Sequence, residues 1–119
     1  MEIQRVSGLR ACCLSYKDPA LFEALVADYG DIVELAVREV VSGADLKVYP
    51  KLRALAWRTG EKDGLPQDLI AVHLSALSTL VRSKPQAIIR TGIRQSRMLL
   101  VKMIGELALY YRNRSIGQG

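Results

Sequence analysis

At 119 residues the chain has the length of one domain, and half of it is apolar, which excludes an intrinsically disordered chain. A formal charge of +5 suits an acidic protein surface, a nucleic acid or an anionic membrane as partner, without choosing among them. The two cysteines, Cys12 and Cys13, are adjacent, which excludes an unstrained internal disulfide and a zinc cluster and fits a reducing cytoplasm.

No apolar run approaches the ~20 residues of a bilayer span. The segment from Met1 to Tyr16 is interrupted by Glu2, Arg5 and Arg10 and has no signal-peptide core. The chain therefore reads as cytoplasmic, with no membrane partner.

Residues 1–17 lack periodicity and read as an N-terminal arm. Asp18-Pro19 then marks a helix start, because the Asp carboxylate can accept orphan amide hydrogens and Pro needs no donor in the first turn. Phe22, Leu25, Tyr29, Ile32, Ala36 and Val40 recur in steps of three and four, as one face of a helix does. Gly30 interrupts this pattern and would permit a close helix crossing. Ser42-Gly43 ends it as a C-cap.

A second helix is expected from about Asp45 to Thr59, with Leu46, Tyr49, Leu52, Leu55 and Ala56 on its apolar side. Pro50 either starts or kinks it. The loop from Gly60 to Gly64 follows. The third helix starts at Leu65-Pro66, where Gln67 and Asp68 suit the positive end of the helix dipole. Leu69, Ile70, His73, Leu77 and Leu80 form its stripe, which breaks at Lys84-Pro85.

The last helix is expected from about Pro85 to Asn113, a length of roughly 40 Å. Ile89, Ile93, Leu100, Met103, Ile104, Leu107, Ala108 and Tyr111 are its apolar members. Arg90, Arg94 and Arg97 share one of its faces. Residues 115–119 read as a flexible tail. Short connections between consecutive helices predict an all-α four-helix bundle with antiparallel neighbours, spanning residues 18–114.

Chemistry-bearing constellations are few. His73 is the single histidine, without sequence neighbours to complete a metal site or a catalytic pair. There is no phosphate loop, dinucleotide fingerprint or nucleophile elbow. No catalytic residue, metal or cofactor is expected. The arginine row could face an acidic protein or a nucleic acid. It lacks the tight helix-turn-helix of a DNA reader and the neighbouring aromatics that favour RNA.

Two segments carry a resemblance. Leu65-Pro66-Gln67-Asp68-Leu69-Ile70-Ala71-Val72-His73-Leu74-Ser75-Ala76-Leu77 resembles a proline-started helix with an aliphatic–His step. Leu100-Val101-Lys102-Met103-Ile104-Gly105-Glu106-Leu107, followed by Tyr111-Arg112, resembles a final helix with a Tyr-Arg ending. Both occur, in this order and spacing, in the superfamily of KaiA C-terminal and RsbU N-terminal domains. The likeness extends over about residues 18–114. It implies a four-helix homodimer without catalysis of its own, which binds a partner protein kinase or KaiC-like ATPase and alters its activity. The phosphatase or receiver-like domain that accompanies such bundles has no room in this chain, so no phosphatase activity is expected.

Asp68, His73, Arg90, Arg94 and Arg97 are therefore the candidate partner-binding residues. Leu100, Met103, Ile104, Leu107 and Tyr111 are the candidate dimer interface. A small basic nucleic-acid-binding protein, using the arginine row, is the alternative.

Overall fold

Helix boundaries follow the cap residues. The structure is a computed structural model that describes residues 13–118. Among the described residues it contains five helices and no strand: α1 (Leu14–Lys17), α2 (Pro19–Ser42), α3 (Val48–Glu61), α4 (Pro66–Ser83) and α5 (Gln86–Gln118). Asp18 caps α2, its carboxylate accepting the Leu21 amide at 3.1 Å, and Pro19 occupies the first turn. Gly43 closes α2 with φ at 74°, a left-handed conformation in which a β-carbon would be strained. Its amide donates to the Glu39 carbonyl at 2.8 Å.

The second long helix starts three residues later than its sequence pattern suggests. Asp45 Oδ1 accepts the Lys47 amide at 3.0 Å, and Lys47 turns left-handed with φ at 62°. This tight turn holds residues 45–47 out of the helix. Pro50 then falls within the first turn of α3, where no intrahelical donor is needed, so it starts the helix without kinking it. The last helix continues past Asn113 to Gln118 and so takes in most of the expected tail.

All five helices supply the core. Leu14, Leu25, Tyr29, Leu52, Leu69, Val72, Met103 and Leu107 are fully buried in it. The helices α3 and α4 each lie against both α2 and α5, which also touch each other. The short helix α1 packs on α2. Leu14 is part of the core although residues 1–17 read as an arm from sequence. Cys13 is half-buried; Cys12 and the rest of the arm before it lie outside the described residues.

Close helix approach occurs at Gly60 and Gly92, not at Gly30. A β-carbon on Gly60 would collide with the Tyr110 ring, and one on Gly92 would lie 2.8 Å from Leu80 Cδ2. At Gly30 it would meet nothing within 4 Å. Opposite stability changes are expected. Gly30→Ala should stabilise by about 0.5–1 kcal/mol through helix propensity. Gly60→Ala should destabilise by about 1–2 kcal/mol, because the Tyr110 ring must leave its edge-to-face contact with Trp57. Urea unfolding of the two variants measures both signs.

Candidate protein-docking face

The polar residues singled out on α4 point inward. Asp68 is buried at the start of α4, where its Oδ2 accepts the Leu65 amide at 2.7 Å. Its Oδ1 accepts the Leu14 amide at 2.9 Å. One carboxylate thus serves the first amides of two helices, α1 and α4, both at the positive end of a helix dipole.

His73 lies one turn further along α4 and is also buried. Its Nδ1 is 2.7 Å from the Tyr29 hydroxyl of α2, which also lies 3.3 Å from the Ser96 carbonyl of α5. The hydroxyl has one proton; where it donates to the Ser96 carbonyl, its oxygen accepts from a protonated Nδ1, so the imidazole tautomer sets the direction of the shorter contact. The rings of Tyr29 and His73 also meet edge to face. Burial lowers the His73 pKa and pushes the Tyr29 hydroxyl above its ordinary range, so both favour their neutral forms. These groups join α2, α4 and α5 and leave no ionic group at the surface.

The arginine row has the opposite placement. Arg90, Arg94 and Arg97 are all exposed on α5, and none makes an ion pair among the described residues. Neighbouring cations do: Lys84 meets Glu34 at 2.7 Å and Arg53 meets Glu106 at 3.2 Å. Between Asp68 and Glu106 the sequence contains no carboxylate at all, while it carries Arg82, Lys84, Arg90, Arg94, Arg97 and Lys102.

The apolar row of α5 divides. Met103 and Leu107 are fully buried in the chain's own core. Leu100, Ile104 and Tyr111 are half-buried beside it. The exposed apolar residues are others: Met98, Val101, Leu109 and Ile116 on α5, and Ile70, Leu74 and Val81 on α4. Ile70 is expected in the α4 stripe from sequence but lies at its exposed edge; the others sit off the phase of the core stripe, so a sequence reading that follows one stripe passes over them. Their signal is an apolar residue on the face that should carry polar ones.

Two contacts fix the seam between α4 and α5. Leu80 approaches Gly92 near one end. Near the other, the Tyr111 hydroxyl donates to the Gly64 carbonyl at 2.7 Å, and Arg114 pairs with Asp63 at 2.9 Å. On the far side of α5, a cleft against α3 is lined by Tyr49, Arg53, Lys102, Gly105 and Glu106. Its charges are engaged locally. Glu106 accepts from Arg53 Nε and Trp57 Nε1, each at 3.2 Å, and the Lys102 ammonium lies 4.7 Å from the Tyr49 ring centroid.

Among the described residues no group of three or more His, Cys, Asp and Glu side chains could hold a metal ion. None of their helices is long and apolar enough to cross a membrane. Comparison with protein-family models, with curated proteins and with solved structures finds no match for this chain.

Proposed function

We propose that this chain is a non-catalytic signalling adaptor of the cytoplasm, which pairs with a second copy and binds a partner protein kinase or KaiC-like ATPase to modulate its activity. The observation that carries this reading is the row of exposed apolar residues along α5, with no other element among the described residues over it. Exposed apolar surface of this kind marks interaction sites. The resemblance of residues 65–77 and 100–112 to a superfamily of kinase- and ATPase-binding bundles supports it.

In this reading the long helices form an antiparallel four-helix bundle, and pairing uses the C-terminal half of α5. Val101, Leu109 and Ile116 are its exposed part, Met103 and Leu107 support the helix from inside, and Leu100, Ile104 and Tyr111 lie on the flank toward α4. A symmetric contact buries the same strip on both copies. Sedimentation equilibrium should show a dimer. Val101→Asp combined with Ile116→Asp should give a monomer with unchanged helicity, since both side chains are two-thirds exposed in the single chain. A monomeric parent protein would refute the pairing.

A further inference from the structure

The surface of α4 and the N-terminal half of α5 has a property that self-pairing does not use: uncompensated positive charge beside exposed aliphatic side chains. We infer that this seam is the seat of an acidic amphipathic helix from the partner protein, an inference that rests on the adaptor reading above and specifies its partner.

Helix phase places the two kinds of residue side by side. Side chains turn by about 100° per residue. On α4, Thr79 and Ser83 line a cleft shared with α2, whereas Ile70, Leu74 and Val81 fall on the opposite flank. On α5, Lys102 and Glu106 line the cleft shared with α3, whereas Arg90 and Arg97 fall on the opposite flank. Since α4 and α5 pack together, those two flanks border one seam, held by the Leu80–Gly92 approach and the Tyr111–Gly64 hydrogen bond. The floor is apolar, with the half-buried Leu77, Leu100 and Ile104, and one wall is a row of arginines without ion-pair partners.

Charge selects the occupant. No carboxylate lies between Asp68 and Glu106 to neutralise this wall. Residues 1–12 cannot supply the complement, since they carry Glu2 against Arg5 and Arg10. The acidic helix α2 of a second copy is also a poor match. Its Asp28 and Glu34 already pair with Arg58 and Lys84, and Leu25, Tyr29, Ile32 and Ala36 of its apolar stripe lie in its own core. A nucleic acid would satisfy the arginines but leave Leu74 and Val81 against phosphates. An amphipathic helix with carboxylates flanking apolar anchors at i, i+3, i+4 and i+7 satisfies both components. The 18 residues of α4 offer it a seam about 27 Å long.

The test uses fluorescence anisotropy with the full chain. Its probes are a labelled synthetic helix of about 18 residues, with leucines at that spacing and glutamates on both flanks, a scrambled peptide of the same composition, and a labelled oligonucleotide. The acidic helix should bind, and more weakly as salt rises. Arg90→Glu/Arg94→Glu/Arg97→Glu should weaken it by at least about tenfold, through loss and reversal of charge. Leu74→Ser/Val81→Ser should also weaken it by about tenfold, an effect that a purely electrostatic contact would not show. These residues are exposed, so circular dichroism should stay unchanged. Equal binding of the scrambled peptide, preference for the oligonucleotide, or binding of no probe would each overturn the inference. Sedimentation of the same samples separates the two readings. A dimer that ignores the acidic helix leaves self-pairing intact, and a monomer that binds it removes the pairing alone.

Discussion

Asp68→Ala is expected to destabilise the fold by about 3 kcal/mol, because it leaves two amides without their acceptor, one of them buried away from water. The Leu14 amide is buried and the Leu65 amide half-buried, and each has an oxygen of this one carboxylate as its hydrogen-bond partner. The loss should divide by location. Removing the contact to Leu65 frays the first turn of α4, whereas removing the contact to Leu14 releases α1, whose Leu14 side chain is 2% exposed. Hydrogen exchange should therefore show the Leu14 amide deprotected well before the centre of α4. Asp68→Asn should fall between the two, since its amide offers one acceptor oxygen and turns a donor toward the other N–H. A docking role for Asp68 on a partner predicts the reverse pattern, with stability unchanged and binding lost.

The second large effect concerns Tyr29. Tyr29→Ala should destabilise by about 4 kcal/mol through the cavity left by a fully buried ring. Tyr29→Phe keeps the ring and removes the hydroxyl that holds His73 Nδ1, at a cost of about 1.5 kcal/mol. The pH dependence has a defined sign. Burial lowers the His73 pKa from its ordinary 6.5, so the unfolded chain binds more protons than the folded one between that value and the lowered one. Stability contributed by neutral His73 is complete above 6.5 and is lost as pH falls through this window. Urea midpoints measured from neutral pH downward should decline there, and His73→Leu should flatten the decline. A profile identical in parent and variant would contradict this account.

Local chemistry explains what was legible from the chain alone. Asp18-Pro19, Gly43 and Pro66 act on the backbone within a turn, and each marks a helix boundary where the sequence pattern expects one. The start of α3 depends on Lys47 taking a left-handed conformation, which a residue of its type rarely does, so Asp45 reads as a helix start when it makes a turn. Orientation across helices is harder to see. Asp68 has the signature of a first-turn acid, yet its other bond reaches back 54 residues to Leu14. The row Leu100, Met103, Ile104, Leu107 and Tyr111 is one apolar arc in sequence. In the fold, Met103 and Leu107 lie at its buried centre and the others at its edge. An arc broader than the core it serves does not declare which members stay outside. The arginine row and the carboxylate-free stretch around it are visible in the sequence, but that no carboxylate of another helix pairs with the row depends on how the rest of the chain folds around it.

The central position of α5 also bears on the order in which the protein can be made. Ribosomes add about 5–20 residues per second, so the 33 residues of α5 take roughly 2 to 7 s to appear. Until then α3 and α4 have only α2 to pack against, and all three lack the surface of α5. Isolated helices of 14 to 24 residues are marginal in water without such a partner. The nascent chain therefore passes through an interval of seconds with the α5-facing surfaces of α2, α3 and α4 uncovered, and its core is completed late.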